Sequence, residues 1–207
     1  MATYGEMKSR IMSELNRDDL SRAASAAVQT SIKYYETQRF WFNEQRAQIT
    51  SIESQEFYRL PSDFVMHDSL SLVDGSNLRK LYQIDYYQIM DMINRNPPTE
   101  ARPTHYAIYS DQIRLYPTPD SDVYIFVLSY VRKLDSLLSD SAYNEWTNTA
   151  EALIRSHAMR SIAGGVLHDP QLMQVYDVYV NGEYKSLRNL TNSKTSSGKV
   201  RKYNYPI

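Results

Sequence analysis

Residues able to do chemistry are few in this sequence, and their spacing argues against a reaction centre. Cysteine is absent from the 207 residues, which removes disulfides, a thiol nucleophile and thiolate metal ligands. The four histidines, His67, His105, His157 and His168, include no His-x-x-x-His pair, so no metal site is expected. His157 falls on an apolar helical stripe and reads as a packed, hydrogen-bonded histidine. Ser196-Ser197-Gly198-Lys199 has the Ser-x-x-Lys spacing of one nucleophile motif, yet it lies in a polar stretch with no buried base or oxyanion site beside it. Gly198-Lys199 is like the end of a phosphate-binding loop, but Val200 stands where Ser or Thr is required and the upstream glycine is missing. Gly164-Gly165 lacks dinucleotide-loop spacing and reads as a helix stop. Asp18-Asp19, and Asp120 with Asp122, occupy a helix start and a turn, where acids need no catalytic role. No catalytic residue, metal or cofactor is expected.

Several bases and aromatics come together without an acid at the C-terminal end, in Lys199-Val200-Arg201-Lys202-Tyr203-Asn204-Tyr205-Pro206-Ile207. The last 23 residues carry six bases and no acid, so the net charge of −1 divides into +6 for this end and −7 for the remainder. Such a division marks an interaction arm. Lys194, Lys199, Arg201, Lys202, Tyr203, Tyr205 and Ile207 are its candidate contacts. They suit a nucleic-acid backbone, or a groove on a partner protein into which alternate large side chains point by strand addition.

The elements that would carry these residues are legible from periodicity. Thr3 and Glu6 have capping-box spacing ahead of Met7, Ile11 and Leu15, predicting a first helix. A second helix starts near Asn16 to Asp19, with the stripe Leu20, Ala24, Ala27, Ser31 and Tyr35 and no breaker before Phe40-Trp41-Phe42. After residue 48 the rhythm turns to short alternating segments. Strands are predicted at Glu56 to Leu60, Ser69 to Val73 and Leu78 to Ile84, the last two joined by Asp74-Gly75-Ser76-Asn77. Asp85 and Gln88 cap a short helix that stops at Asn96-Pro97-Pro98; a hairpin around Ser110-Asp111 follows, then a long strand from Val123 to Leu134. A helical stripe runs through Trp146, Ala150, Leu153, Ile154, His157 and Ala158, and Asp169-Pro170 restarts a last helix toward residue 190, with Gly182 as a weak point. From Thr191 the composition turns to Ser, Thr, Asn, Gly and Lys, and a flexible arm is expected.

The expected fold is α+β: a helical bundle of two N-terminal and two C-terminal helices interrupted by a β-rich insertion, with an extended C-terminal arm. The divisions are residues 1–48 for the first helical pair, 49–135 for the insertion with its one short helix, 136–190 for the second pair and 191–207 for the arm. Apolar residues make up 42% and charged residues 23%, with 18 tyrosines, a balance that builds a packed core. No run of about 18 apolar residues occurs, and Met1 to Glu6 lacks the basic and apolar segments of a secretion signal, so no membrane span or secretion address is expected.

Four segments, in their order, resemble the head-tail adaptor (connector) proteins of tailed bacteriophages, the short-tailed type in particular. They are Gln38-Arg39-Phe40-Trp41-Phe42-Asn43-Glu44, then Phe57-Tyr58-Arg59-Leu60-Pro61-Ser62-Asp63-Phe64, then Gln112-Ile113-Arg114-Leu115-Tyr116-Pro117-Thr118-Pro119, and Asn144-Glu145-Trp146. The resemblance spans roughly residues 5 to 190. It implies a virion protein, assembled in the host cytoplasm, that forms a ring, usually of twelve copies, under the portal protein at the head-tail junction. Such a ring offers its other face to a tail protein (nozzle or tail tube), while genomic DNA passes through the channel without specific binding. It also implies that the C-terminal arm docks on the portal. The hairpin tips Asp74-Gly75 and Ser110-Asp111 are then candidates for contacts with neighbouring subunits or the tail. Two other classes fit the residues: a nucleic-acid-binding protein using the basic end, and a cell-wall glycan hydrolase of the virion drawing carboxylates from Glu44, Glu53 or Glu56.

Overall fold

The computed structural model describes residues 2–95 and 100–195. In chain order the elements are α1 (Tyr4–Glu14), α2 (Ser21–Glu36), β1 (Glu44–Thr50), β2 (Phe57–Arg59), β3 (Phe64–Asp74), β4 (Asn77–Lys80) and β5 (Tyr82–Gln83). They continue with α3 (Tyr86–Arg95), β6 (His105–Tyr109), β7 (Gln112–Tyr116), β8 (Ile125–Arg132), α4 (Glu151–Gly165) and α5 (Pro170–Thr195). The fold is α+β, and the chain divides into two compact units. One takes residues from both ends, 2–43 and 134–195; the other is 44–133.

The helical unit starts with the expected capping box. The Thr3 hydroxyl accepts from the Glu6 N–H at 3.2 Å, and the Glu6 carboxylate accepts from the Thr3 N–H at 2.8 Å. Apolar stripes at helical spacing then meet in one core: Met7 and Ile11 from α1, Ala24, Val28 and Ile32 from α2, Leu153, Ile154, Ala158 and Ile162 from α4, and Tyr176, Val180 and Leu187 from α5. Each large side chain fully buried here contributes about 1.5–3 kcal/mol. Phe40 and Trp146 are fully buried against each other, edge to face, with ring centroids 5.9 Å apart. Gly5 lets α1 approach the segment that leads into Trp146. Its N–H donates to the Asp140 carbonyl at 2.9 Å, and a Cβ there would meet the Asp140 Cβ at 2.9 Å.

Three helix boundaries differ from the sequence reading. A 3-10 turn takes Asp18–Leu20, so α2 begins only at Ser21, with no side chain capping it. Trp146 precedes α4, because Asn144 closes a turn instead: its side-chain oxygen accepts from the Trp146 N–H at 2.8 Å. At the other end, α5 does not stop near residue 190. It runs through Gly182 to Thr195, and Leu187 and Thr191, one turn apart, are both buried while the Thr191 hydroxyl donates to the Leu187 carbonyl at 2.9 Å. Residues 191–195, expected in the flexible arm, are therefore helical. The α5 start is as read, with Asp169 accepting from the N–H groups of Gln171 and Leu172 at 3.0 and 2.9 Å.

The other unit is a pair of four-stranded sheets, ordered β1-β8-β3-β4 and β2-β7-β6-β5. Their pairings are antiparallel except β5 with β6. Alternation sends Leu70, Leu72, Phe126 and Leu128 of the first sheet and Tyr58, Tyr106, Ile113 and Leu115 of the second into one shared core. Strand β1 begins at Glu44, ahead of the rhythm change expected after residue 48. The predicted strand from Leu78 to Ile84 is split, because Leu81 turns inward and leaves β4 in one sheet and β5 in the other.

Arg114, between the inward Ile113 and Leu115, faces the other side of its sheet, where α3 lies. Its side chain is only 8% exposed. Nε and Nη2 donate to the Glu56 carboxylate at 3.1 and 2.7 Å, and the guanidinium sits 5.0 and 5.3 Å from the ring centroids of Phe57 and Tyr86. Tyr86 in turn stacks on Tyr109 at 4.5 Å. Replacing Arg114→Ala removes the ion pair and the platform under α3 together. The expected cost is about 2 kcal/mol in urea unfolding, with hydrogen exchange accelerated in α3 while α2 and α4 keep their protection.

Candidate functional site

The residues proposed from sequence fall into three separate places. Of the arm candidates, Lys194 is on the last turn of α5, where its ammonium lies 4.4 Å from the ring centroid of Trp41. The same end of α5 is tied down by Arg188, whose Nη1 donates to the Arg39 carbonyl at 3.2 Å. Sequence reading placed Lys194 in the flexible arm; the helix places it against Trp41 of the Gln38–Glu44 segment. Lys199, Arg201, Lys202, Tyr203, Tyr205 and Ile207 lie outside the described residues, as does the Asn96-Pro97-Pro98 stop.

The two hairpin tips have the backbone that tight turns require. Gly75 has φ +59°, and Ser110 and Asp111 have φ +48° and +58°, the left-handed pair of a two-residue hairpin. They do not meet. Asp111 shares a groove with Arg59, Pro61 and Phe64 at the start of β3, whereas Asp74 is at the far end of that eleven-residue strand, about 30 Å away at roughly 3.3 Å per residue. Asp74 is instead near Arg102, 3.4 Å from its guanidinium. The tips therefore offer two surfaces at opposite ends of one unit.

Two of the carboxylates of the hydrolase reading are also apart. Glu44 and Glu53 flank β1, whose seven residues span about 20 Å, beyond the roughly 5–10 Å that glycosidic chemistry needs. Glu56 is engaged by Arg114. Among the described residues, no three His, Asp or Glu side chains converge as metal ligands, and no helix is long and apolar enough to cross a membrane.

Two polar clusters sit between the helices. The Ser31 hydroxyl donates to the Ala27 carbonyl at 2.7 Å and so accepts from His157 Nδ1 at 2.9 Å, which fixes that tautomer. Burial holds the imidazole pKa below its usual value, and Tyr34 stacks on it at 5.2 Å. This is a neutral, positioned histidine in a tyrosine-lined depression. Its serine hydroxyl is committed to the backbone of α2. In the second cluster, Arg155 contacts the Glu14 carboxylate and lies 3.1 Å from that of Glu151, which is also 3.5 Å from Arg10, so α1 and α4 are joined by alternating charge. Burial pushes the Glu151 carboxyl above the ordinary glutamate range, with Arg10 opposing the shift.

Outside the core, α5 carries exposed apolar side chains. Val175, Val178 and Tyr179 are spaced along one face, and Val178 is 69% exposed. Val175 and Val178 lie off the stripe of Tyr176, Val180 and Leu187, and no sequence rule assigns them a partner.

The candidate residues thus lie on surfaces, helix ends and hairpin tips. The family model described as SU10 adaptor protein matches residues 2–189, nearly the whole chain. The chain belongs to the SU10 adaptor protein family. This is a family of phage head-tail adaptors, which bears out the resemblance to head-tail adaptors. No curated protein matches the chain. Membership makes the chain a structural component of a bacteriophage particle that interacts with portal and tail components. The match ends within α5, so Thr195 and the basic segment beyond it fall outside the family pattern.

The charge network of this adaptor has a pH signature. Because the Glu151 carboxyl binds a proton more readily in the folded state than in the unfolded chain, its contribution to stability rises as pH falls from neutral toward about 4.3, the ordinary glutamate value. Glu151→Gln should remove that part of the slope. Unfolding free energies measured at pH 7 and pH 5 should show the wild type gaining relative to the variant at the lower pH.

Proposed function

We propose that this adaptor assembles as a ring, of twelve copies, beneath the phage portal protein. Its C-terminal arm docks on the portal, its opposite face receives a tail protein (nozzle or tail tube), and genomic DNA passes through the central channel without specific binding. The observation that carries this reading is the family match over residues 2–189. The charge division adds to it: a wall bearing −7 does not grip passing phosphates, while the +6 end supplies the attaching charge.

Attachment proceeds by coupled ordering. Each arm gains charge pairing through Lys199, Arg201 and Lys202 and burial of Tyr203, Tyr205 and Ile207. Repetition around a ring turns a modest single-arm affinity into tight attachment, because every further arm binds at high effective concentration. Lys194 takes a different part here. Held over Trp41, it fastens the last turn of α5.

The test is the mass of the purified protein alone and after mixing with portal. A ring-sized complex with portal is expected for the wild type. Removing residues 196–207 should leave helix content and thermal midpoint unchanged and abolish the complex; a truncated chain that still joins the portal overturns the arm assignment. Lys194→Ala should weaken the complex only a few-fold. Steeply salt-dependent DNA binding by the free chain, lost with the same truncation, would replace this reading by nucleic-acid binding.

A further inference from the structure

Among the described residues the sheet β1-β8-β3-β4 has two open edges, and their hydrogen-bonding groups are complementary. Ser51 N–H donates to the Tyr124 carbonyl at 2.9 Å, which sets the phase of the β1–β8 ladder. In antiparallel pairing the hydrogen-bonded residues alternate, so Ala47 and Ile49 bond to β8 while the N–H and C=O groups of Arg46, Gln48 and Thr50 point away from the sheet. At the opposite edge, Leu81 N–H donates to the Leu70 carbonyl at 2.9 Å. The same alternation turns the backbone groups of Leu78 and Lys80 outward from β4. The side chains of Arg46, Gln48, Thr50 and all of β4 are exposed, and Leu78 is 68% exposed.

Strand edges are ordinarily blunted by brevity, bulges, proline or lysine. The edges of the other sheet are short, with three residues in β2 and two in β5. Strand β1 has no such protection. It is seven residues long, contains neither proline nor glycine, and keeps unbroken register with β8 from Glu44 to Thr50.

Strand direction supplies the occupant. Since β8 is antiparallel to both β1 and β3, and β4 is antiparallel to β3, the strands at the two edges run in opposite directions. Copies related by rotation about an axis along the strands would bring β4 of one against β1 of the next as an antiparallel pair. We propose that this pairing joins neighbouring subunits, continuing the sheet from copy to copy; it rests on the ring reading above. The contact is head-to-tail, the type that closes into rings, and not the self-matching kind that ends at two copies. Extending the existing rows, Thr50-Ile125-Val73-Leu78 and Gln48-Val127-Ser71-Lys80, sets Leu78 opposite Thr50 of the next copy and Lys80 opposite its Gln48. A slip by two residues would oppose Lys80 with Arg46, like charges that disfavour it.

The cysteine-free chain makes the test direct. Leu78→Cys and Thr50→Cys are prepared separately, mixed and mildly oxidised; the paired Cα atoms would stand about 5.5 Å apart, within disulfide reach. A cross-linked dimer is expected in the mixture and from neither variant alone, and the double variant should give a ladder of three and more copies. Gln48→Pro is the second probe, since its N–H faces outward and proline costs no bond to β8. It should retain the wild-type circular dichroism and lower self-association at least tenfold. No cross-link in the mixture, or unchanged association of Gln48→Pro, while the wild type forms rings, free or on portal, overturns the edge pairing and leaves the ring reading standing. A dimer from Thr50→Cys alone also overturns it. No self-association of the wild type under any of these conditions overturns both.

Discussion

Everything in this protein depends on the lateral pairing of β1 and β8. Glu44 stands opposite Val131, so the insertion begins and ends side by side and can be spliced between α2 and α4 without forcing their helices apart. Closing a loop of some ninety flexible residues would carry a sizeable entropic cost. Here the intervening chain is a folded unit with its own core, and the closure is part of its sheet. The freedom to bring residues 2–43 and 134–195 into one hydrophobic core follows from that pairing.

Charged groups in both units are used for orientation. Arg114 is held among Glu56, Phe57, Tyr86 and Met90, and it locates α3 on the outer face of its sheet. Arg10, Glu14, Glu151 and Arg155 do the same between α1 and α4. A partly buried charge network tolerates few alternative geometries, because every member left unpaired retains its desolvation cost. That suits a structural component whose surfaces must recur identically in every copy. It also explains perturbed acid and base equilibria in a protein whose family role is structural.

Local signals in the sequence were read well wherever one residue's own chemistry decides the backbone. The Thr3 and Glu6 box, the Asp169 cap, and the turns at Gly75 and Ser110-Asp111 all appear where their types require. Strand β1 was missed because Glu-Gln-Arg-Ala-Gln-Ile-Thr holds only Ala47 and Ile49 as apolar residues, too few for a period-2 signal. The end of α5 was misplaced for a related reason. Residues 191–195 are polar in composition, yet Thr191 is buried one turn beyond Leu187, and that contact extends the helix. Among the proposed site residues, spacing could not show that Asp74 and Ser110 occupy opposite ends of the β-rich unit, nor that Lys194 meets Trp41.

By itself the sequence determined the periods, caps and breakers of the elements, the absence of thiol chemistry, the basic C-terminal end and the adaptor family. These depend on neighbours within a few residues, or on composition, and the chain carries them in any conformation. Only the tertiary structure decided that both chain ends build one core, that β4 and β5 belong to different sheets, and that β1 and β4 are left as the open edges of one sheet. Pairing and burial between residues tens of positions apart set those outcomes, and they arise only when the whole hydrophobic surface is packed at once.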